Sequence, residues 1–408
     1  MSAYIEIAQS SGATTLPIAA NAFAPLRLAP AGPARQTIGV VLHDFALGGT
    51  ERIAVRLANQ WAAEGADVTL LVGSREGPLA ALLDPRIRLA SPAEPVRRAQ
   101  GSQRALGAAA VRYFSERRVQ TCFVPGNYHW PVARALGRMP IAIRPVVVAQ
   151  VSAALYKPQR GRVRQIIYNM RMRYLLRSTD MLVTLCAQAG RQADRILGRQ
   201  VSMSIALPAL DDWTSPQEPL PARGRTILAA GRLVPEKGFD ILIEAFAKLT
   251  ASGRSGDANL VIVGEGPDRA RLTQLIVQHG LGARISMPGY VEDIRPWLDD
   301  CRLFVLPSRF EGYGAVIVEA LAAGRPVVAT RCTPAVEELL RGTGAGLDVP
   351  IEDSAAMADA IAALLGADAP DPIRLASLVE RHRIGPVARA YAHLFRGIAG
   401  ERLAAPLA

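Results

Sequence analysis

The sequence near the N-terminus alternates apolar runs with a helical pattern, and this alternation restricts the fold more than any other feature. The run IGVVL (38–42) predicts one buried strand, and VTLLV (68–72) predicts the next. Between them Ile53, Leu57 and Trp61 recur every four residues, which places them on one face of a helix. A strand, a helix and a second strand form a βαβ unit, whose strands pair in parallel. The chain is therefore predicted to contain a parallel α/β sheet.

The same alternation recurs in both halves of the chain. Further helices are predicted at 187–197, 238–249 and 267–280. Further strands are predicted within 121–130, 144–152, 181–186, 226–231, 258–264, 284–289, 303–308 and 326–330. This order predicts an α/β fold of two Rossmann-like, doubly wound domains. A ligand cleft is expected between them, because such sheets bind ligands at the carboxyl ends of their strands.

A proline-rich segment divides the chain into its two domains. ALDDWTSPQEPLPARG (209–224) contains three prolines and is predicted to be a linker. It separates an N-terminal domain (37–208) from a C-terminal domain (225–383). Residues 1–36 are rich in Ala and Pro without a periodic pattern, so a flexible extension is expected there. Residues 384–408 are expected to form a helix that returns to the N-terminal domain.

The formal net charge of +11 is concentrated in the first half of the 408 residues. Residues 1–220 contain 26 Lys and Arg against 14 Asp and Glu, a net of +12, whereas residues 221–408 contain 21 against 22, a net of −1. A basic half indicates an anionic partner, such as a phosphorylated substrate, an acidic membrane surface or nucleic acid. Frequent use of Arg as a solvated surface residue would give the same excess, so charge alone leaves both interpretations open.

Cysteine usage and hydropathy favour a cytoplasmic protein. The four cysteines lack metal-ligand spacing, so buried thiols in a reducing compartment are expected. No signal peptide is recognised, and no apolar run approaches the ~20 residues that span a bilayer. An association with the inner face of a membrane is compatible with these observations.

Two cations follow the strand predicted at 226–231, on the short segment GRLVPEKG (231–238). Arg232 and Lys237 are five residues apart at the carboxyl end of that strand, where the cleft is expected. A guanidinium fork and an ammonium point charge together suit a diphosphate. Ordinary surface charge is the alternative interpretation.

The segment RFEGYGAVIVEAL (309–321) runs from a loop into a helix. Gly312 and Gly314 leave backbone N–H groups uncovered at the helix N-terminus, where the helix dipole favours an anion. Glu311 and Glu319 bracket these glycines a little over two helical turns apart, which is too far to clamp one metal ion. We expect them to accept hydrogen bonds from hydroxyls at two ends of an extended ligand, such as a nucleotide-sugar. A helix cap for Glu311 and a buried salt bridge for Glu319 are the structural alternatives.

Three segments and one turn of this sequence resemble a known enzyme family. GRLVPEKGFDILIEAFAKL, VIVGEGPDRARL, PGYVEDIRPWLDDCRLFVLPSRFEGYGAVIVEALAAGRPVVAT and the Gly48–Gly49 turn are together similar to the retaining glycosyltransferases of family 4, which have the GT-B fold. The E-x7-E pair of Glu311 and Glu319 matches that family's signature. The resemblance extends from about residue 38 and is most specific in residues 226–330.

The resemblance implies a nucleoside-diphosphate-sugar as donor substrate, with a UDP-sugar favoured. No further cofactor and no metal site are implied, and no Asp-x-Asp triplet occurs in the chain. By similarity Arg232 and Lys237 would bind the diphosphate, Glu319 the ribose and Glu311 the transferred sugar. The backbone groups that would touch phosphate and sugar belong to Gly312, Tyr313 and Gly314.

The N-terminal domain is expected to bind the acceptor, and its most basic segment is YKPQRGRVRQIIYNMRMRYLLRS (156–178). This segment holds seven cations and no acidic residue, with apolar residues interleaved. A basic amphipathic helix fits an anionic membrane surface or a lipid-diphosphate acceptor. A solvated helix whose apolar side joins the domain core is the alternative. Nucleic acid is not expected, because no nucleic-acid-binding signature accompanies the segment.

Polar residues also follow the predicted strands of the N-terminal domain. Asn127 and His129, in PGNYHW (125–130), are candidates for orienting the acceptor or the donor sugar. The Gly48–Gly49 turn lies between a strand and a helix, where a phosphate can approach the backbone, although a plain turn needs no ligand. The resemblance implies that this turn closes over the donor.

Together with these observations, the resemblance implies a metal-independent retaining glycosyltransferase of the hexosyltransferase type. It would move a sugar from a nucleoside diphosphate to a saccharide or polyprenyl-linked acceptor, in cell-envelope or exopolysaccharide biosynthesis. The predicted catalytic residues are Glu311, Arg232, Lys237, His129 and Asn127. A nucleotide-sugar epimerase or phosphorylase on the same fold is one alternative, and a non-catalytic nucleotide-sugar-binding protein is another.

Overall fold

Two parallel β-sheets organise the chain, as shown by a computed structural model that describes residues 35–156, 160–211 and 225–404. The first sheet has seven strands, in the spatial order β3-β2-β1-β4-β5-β6-β7. Its strands are β1 (Thr37–Leu42), β2 (Asp67–Val72), β3 (Arg88–Ala90), β4 (Thr121–Val124), β5 (Val146–Val151), β6 (Met181–Thr184) and β7 (Ser202–Ser204). The strand order reverses between β1 and β4, which places the ligand-binding crevice of this sheet at their carboxyl ends.

The second sheet has six strands, in the order β10-β9-β8-β11-β12-β13. Its strands are β8 (Thr226–Ala230), β9 (Asn259–Val263), β10 (Ile285–Gly289), β11 (Leu303–Leu306), β12 (Val327–Thr330) and β13 (Gly346–Val349). Every pairing is parallel, with Leu303 opposite Ile227 and Phe304 opposite both Leu228 and Val327. The crevice of this sheet therefore lies between the carboxyl ends of β8 and β11.

Helices connect the strands of both sheets. They are α1 (Gly49–Ala63), α2 (Ser102–Glu116), α3 (Trp130–Leu136), α4 (Gly161–Leu176), α5 (Ala187–Leu197), α6 (Phe239–Ala251), α7 (Arg269–Gln278), α8 (Arg295–Asp300), α9 (Ala315–Ala322), α10 (Pro334–Leu340), α11 (Ser354–Gly366), α12 (Pro372–Ser377) and α13 (Ile384–Ala404). The predicted fold class is confirmed: two Rossmann-like domains face each other, as in the GT-B fold.

Both faces of a parallel sheet are covered, so its central strands are apolar along their whole length. Strands of this kind were therefore predicted from the sequence. All six residues of β5 are buried, as are all four of β4. The short edge strands β3, β7 and β13 were not predicted. They contain three or four residues with polar or glycine positions, so they carry no apolar run.

The chain crosses between the domains twice, and the two crossings lie side by side. Leu210 donates its N–H to His382 O (3.1 Å), and Ile384 donates to Leu210 O (2.8 Å). Residues 212–224 of the predicted linker lie outside the described residues, as do residues 1–34 of the predicted N-terminal extension. The apolar core of the C-terminal domain reaches across this junction to Leu185 and Leu207.

Helix α13 packs against the N-terminal domain after the second crossing. Trp61 Nε1 donates to Ala388 O (3.0 Å), and the rings of Trp61, Phe123, Tyr391 and Phe395 form one edge-to-face cluster. Gln150 Nε2, at the centre of the sheet, donates to Tyr391 Oη (2.9 Å). The last helix is thus tied to the core of the first domain by aromatic contacts and by a buried hydrogen bond.

Each cysteine of the chain is buried with a free thiol. Within the described residues, no helix combines the length and the apolar character needed to cross a membrane.

The buried hydrogen bond of α13 predicts the outcome of one conservative substitution. Tyr391→Phe removes the acceptor of Gln150 Nε2 and leaves that amide unsatisfied, so we expect a loss of ~1–3 kcal/mol in the free energy of unfolding. Urea unfolding followed by tryptophan fluorescence would measure it. Tyr290→Phe is the matched control, since Tyr290 is 74% exposed. Equal unfolding midpoints for both variants would contradict the role given to α13.

Candidate functional site

Two loops meet where the strand order of the C-terminal sheet reverses. The first (231–238) follows β8, and the second (307–314) follows β11. Gly238 has a φ of +64°, and a Cβ there would lie 2.2 Å from Pro307 O. Only glycine satisfies both conditions, so Gly238 allows the loops to touch.

The closest side-chain contact between these loops is the ion pair of Lys237 and Glu311. Lys237 Nζ lies 2.5 Å from Glu311 Oε1, and Ser308 Oγ donates to the same oxygen at 2.8 Å. Both charged groups are partly buried and still reach solvent. Because Glu311 accepts these side-chain hydrogen bonds, it does not cap α9, whose N-cap is Gly314. The structure therefore joins two of the predicted site residues.

Arg309 fixes the relative position of the two loops, although the sequence analysis did not identify it. Its guanidinium donates to Asp240 through both Nη atoms (2.8 and 3.0 Å) and to Pro235 O (2.7 Å), and it also pairs with Glu352. Its backbone N–H donates to Glu236 O (2.8 Å). These bonds hold the turn that carries Lys237 against the loop that carries Glu311.

Arg232 lies on the same loop as Lys237, but it is exposed and makes no ion pair with any other described residue. The loop itself is well supported. Leu233 N–H donates to Glu265 O (2.9 Å), and Asp268 N–H donates to Leu233 O (3.0 Å). The glycine-rich turn after β9 therefore supports the loop that carries Arg232.

The N-terminus of α9 opens beside the ion pair and faces the other domain. Gly314 adopts the left-handed conformation with a φ of +88°. A Cβ on Gly312 would lie 2.8 Å from Ser152 O, so this glycine permits close contact between the two domains. The first N–H groups of a helix have no intrahelical acceptor, and the dipole makes this end attractive for an anion.

Tyr313 differs from its two glycine neighbours, because its side chain turns into the core. The ring is buried, and its Oη lies 3.4 Å from His382 Nε2. Burial raises the pKa of the Tyr313 phenol. Only the backbone of Tyr313 is therefore placed to meet a ligand.

Glu319 lies on α9 and is partly buried, and its carboxylate has no hydrogen bond or salt bridge to any described residue. Burial raises the pKa of its carboxyl above the ordinary 4.5, and Arg56 and Arg52 on α1 of the other domain oppose this rise. The alternative of a buried salt bridge is thus wrong for the described residues. The separation inferred from helical rise does not apply to this pair, because α9 begins only at Ala315 and Glu311 lies in the preceding loop.

The N-terminal domain presents the start of α1 to the same region. Gly48 is the N-cap of α1, and a Cβ there would lie 2.0 Å from Glu51 Oε2. Arg98 pairs with both Glu51 and Asp44 and lies 5.0 Å from the ring centroid of Tyr128. Arg98 therefore anchors the turn that contains Gly48 and Gly49. No sequence pattern marks Arg98, which lies in a loop 47 residues from Glu51.

Asn127 is joined to the interdomain contact, whereas His129 is not. Asn127 Oδ1 accepts from Ser152 N–H (2.9 Å), and Asn127 Nδ2 donates to Tyr168 Oη (3.3 Å). His129 is completely buried, and its Nδ1 lies 2.8 Å from Pro125 O. Burial lowers the pKa of His129 to about 4, so its ring is neutral at pH 7. Its burial makes His129 a poor candidate for direct ligand contact.

A cavity of about 280 Å³ opens next to Asn127. Its walls include Tyr128, Trp130, Arg160 and Tyr168, and the guanidinium of Arg160 stacks 3.6 Å from the centroid of the Tyr168 ring. Aromatic faces with a cation and an amide are typical of saccharide or phosphate recognition. Among the described residues, no three His, Cys, Asp or Glu side chains are grouped so that they could hold a metal ion.

Comparisons with known proteins find similarity to glycosyltransferases. A family model described as "Glycosyl transferases group 1" matches residues 224–367. The chain is 40% identical over 141 residues to an alpha-D-kanosaminyltransferase of Streptomyces kanamyceticus, a match that covers 34% of this chain and 36% of that protein. It is 36% identical over 141 residues to the lipopolysaccharide core biosynthesis glycosyltransferase LpsE of Rhizobium meliloti, covering 35% and 39%. The matches thus span less than two fifths of these relatives.

A solved structure covers nearly the whole chain. Alr3699/HepE of Anabaena, in complex with UDP and glucose, superimposes with a TM-score of 0.63 over 91% of this chain and 98% of its own. The two sequences are 20% identical. At this identity the likeness shows the fold.

The unpaired carboxylate of Glu319 predicts a pH-dependent stability effect. Its raised pKa means that the folded chain binds this proton more readily than the unfolded chain, so the ionised carboxylate costs stability above its ordinary pKa of 4.5. We expect Glu319→Gln to raise the free energy of unfolding at pH 7 and to raise it less at pH 4.

Urea unfolding at the two pH values would measure this difference. Glu292→Gln is the control, because Glu292 is exposed, and its effect should stay within about 0.5 kcal/mol at either pH. A Glu319→Gln variant that is destabilised at pH 7 would show that the carboxylate is stabilised by partners in the fold.

Proposed function

We propose that this chain is a retaining glycosyltransferase of the family 4 type, acting in the synthesis of cell-envelope polysaccharide. One observation carries the proposal: Lys237 and Glu311 form an ion pair at the β8–β11 switch point, beside the N-terminus of α9. An ammonium, a helix N-terminus and a carboxylate at one cleft suit a ligand that is anionic at one part and hydroxylated at another. The matches to a glycosyltransferase family model and to LpsE support the reaction class.

The donor in this proposal is a nucleoside-diphosphate-sugar, with a UDP-sugar favoured. Lys237 and Arg232 bind the diphosphate, together with backbone N–H groups at the start of α9. Glu319 accepts hydrogen bonds from the ribose hydroxyls, a role that its unpaired carboxylate supports. In the E-x7-E pair, Glu319 therefore binds the nucleoside end of the donor and Glu311 binds the sugar end. The UDP complex of Alr3699/HepE, on the same fold, favours uridine as the base.

The proposed reaction depends on stabilising the negative charge that develops on the leaving diphosphate. The bond between the anomeric carbon and the phosphate oxygen breaks, and the acceptor hydroxyl oxygen bonds to that carbon on the same face of the sugar. The proton of the acceptor hydroxyl passes to the departing diphosphate. Lys237, Arg232 and the dipole of α9 stabilise the negative charge that develops there. Glu311 holds a sugar hydroxyl and does not transfer a proton.

The acceptor, a saccharide or a lipid-linked saccharide, approaches from the N-terminal domain. Asn127 and Ala153 both line the cavity and both adjoin Ser152, which lies against Gly312, so an acceptor bound there would lie near the proposed donor site. An epimerase or phosphorylase would share the donor site and release different products. A non-catalytic binding protein would bind the nucleotide and turn over nothing.

The proposal predicts the effect of removing the ammonium group. We expect Lys237→Met to lower the rate of donor hydrolysis ~10²–10³-fold, because a preorganised group that stabilises transition-state charge contributes about that much. Release of nucleotide from UDP-, GDP- and ADP-sugars, in buffer containing EDTA, would measure the rate. Lys248→Met is the control, since Lys248 lies in the last turn of α6 and donates to Ser354 of α11, and neither residue belongs to the two loops.

Three results would contradict the proposal. These are the absence of binding of every nucleoside diphosphate, equal rates for the Lys237 and Lys248 variants, and activity that returns only when a divalent metal is added. The last result would contradict only the metal independence of the proposed reaction and would leave the reaction class unchanged.

Helix α4 supports a second part of the proposal, an association with the inner face of a membrane. Its apolar residues lie on two opposite faces. Met172, Leu175 and Leu176 are buried against the domain, whereas five apolar residues form an outer stripe, each between 54% and 70% exposed. The outer stripe consists of Val163, Ile166, Ile167, Met170 and Tyr174. The sequence left open a core helix and a membrane-surface helix. The buried face fits the first alternative, and the outer stripe supports the second.

Arginines border the outer stripe on both sides. At 100° per residue, Arg162 and Arg173 lie along one side, and Arg164 and Arg171 along the other. An apolar stripe flanked by cations fits the interface of an anionic bilayer, where the apolar groups enter the acyl boundary and the cations meet the headgroups. We propose a cytoplasmic protein that binds this surface peripherally. Lys157, in the same basic segment, lies outside the described residues.

The outer stripe predicts vesicle binding. We expect Ile166→Ser with Ile167→Ser to weaken binding to phosphatidylglycerol vesicles at least roughly tenfold, because burying one isoleucine is worth about 1.5–3 kcal/mol. Cosedimentation would measure this loss. Vesicles of phosphatidylcholine alone should bind neither the unchanged chain nor the double variant. Val277→Ser with Ile373→Ser is the control pair, exposed on the other domain. Equal losses in both pairs would contradict a specific docking face.

A further inference from the structure

A groove of about 880 Å³ lies between α2, α3 and α4, on the N-terminal domain. Its walls come from the start of α2, from the outer side of α3 and from the last turns of α4. Four arginines line it: Arg104, Arg134, Arg138 and Arg171. No acidic residue is among the groove-lining residues, and the groove has no role in the donor site described above.

The charge of the groove is not balanced by its surroundings. Arg104, Arg138 and Arg171 are exposed and form no ion pair with other described residues. Between residues 95 and 179 the sequence contains 16 Lys and Arg and one acidic residue, Glu116. Like charges around one cavity repel each other, and an anion bound among them would remove that repulsion.

The fourth arginine, Arg134, is held in a fixed position in the wall of the groove. Arg134 is buried to 92%, and its Nη1 donates to Tyr174 O at 2.6 Å. Its guanidinium also stacks 3.5 Å from the centroid of the Tyr174 ring. The position of this cation is therefore set by the fold, unlike that of a solvated surface arginine.

The N-terminus of α2 adds a second source of positive potential. Gly101 is the N-cap of this 15-residue helix, and the first turn contains no acidic residue. Gln100, Gly101, Gln103 and Arg104 all line the groove. The helix dipole and the four guanidinium groups therefore act on one cavity.

The groove lies between the candidate acceptor cavity and the outer stripe of α4. Arg171 and Leu175 line both the groove and the smaller cavity beside Asn127. Tyr174 lines the groove and also belongs to the outer stripe. An anion in the groove would be close to the acceptor cavity on one side and to a bilayer surface on the other.

We propose that this groove binds a phosphate or diphosphate group of the acceptor. The identification of the ligand as the acceptor rests on the proposed function, whereas the anion site itself does not. The phosphate could belong to a lipid carrier or to a water-soluble sugar phosphate, since both present the same oxygens to arginine. The position beside the outer stripe favours the lipid carrier.

Calorimetry on the full chain tests the proposal with three probes: inorganic pyrophosphate, geranyl diphosphate and glucose 1-phosphate. All measurements use a background of Arg232→Gln with Lys237→Met, which removes the cations of the donor site. In that background we expect Arg104→Gln with Arg138→Gln to weaken binding of pyrophosphate at least ~10-fold, equivalent to ~1.4 kcal/mol. Arg112→Gln with Arg118→Gln is the matched control, because both arginines are exposed and lie outside the groove.

Each outcome decides between the interpretations. Loss of affinity confined to the groove pair supports the site, and tighter binding of geranyl diphosphate than of pyrophosphate assigns the ligand to a lipid carrier. Tighter binding of glucose 1-phosphate assigns it to a sugar phosphate. Equal affinities in the two pairs, or no binding of any probe, would overturn the proposal. Binding is measured without turnover, so a failed donor assay would leave this result intact, and thermal melting of each variant confirms folding.

Discussion

The ion pair between Lys237 and Glu311 joins the two loops that open at the switch point of the C-terminal sheet. It depends on backbone geometry, because Gly238 must sit against Pro307 before the loops can approach. It also depends on Arg309, which ties the turn of Lys237 to the loop of Glu311. Both charged groups still reach solvent, so an incoming anion can replace the carboxylate as the partner of the ammonium. Such a pair is suited to release its ammonium to a phosphate.

The second domain completes the cleft through backbone contacts and through the charges of α1. Gly312 touches Ser152, Ser152 is held by Asn127, and Arg52 and Arg56 of α1 face Glu319. The two crossings of the chain are hydrogen-bonded to each other at Leu210 and Ile384. In the proposed function, this arrangement keeps the groups that bind the donor on one domain and those that bind the acceptor on the other.

The sequence predicted the fold class and the two loops that meet at the candidate site, because both are encoded locally. Apolar runs mark buried strands, and the glycines with Arg232, Lys237 and Glu311 stand in short segments at strand ends. Contacts between distant segments were missed. Arg309 meets Asp240 across 69 residues, and no sequence period marks such a pair.

Burial was also hard to predict for single polar residues. His129 follows a strand just as Asn127 does, yet its ring turns into the core while the amide of Asn127 reaches the domain contact. The sequence of α4 did not distinguish its buried face from its outer stripe, because both are apolar and only packing against the domain separates them.

The central claim is that the diphosphate of a donor takes the place of Glu311 as the partner of Lys237. A crystal structure with the nucleoside diphosphate that binds most tightly tests this directly. The account predicts Lys237 Nζ within ~3 Å of a phosphate oxygen, with that phosphate at the start of α9 and the base at the end nearer Glu319. A nucleotide bound elsewhere, or bound here with the Lys237–Glu311 pair intact and no phosphate contact to Lys237, would contradict it.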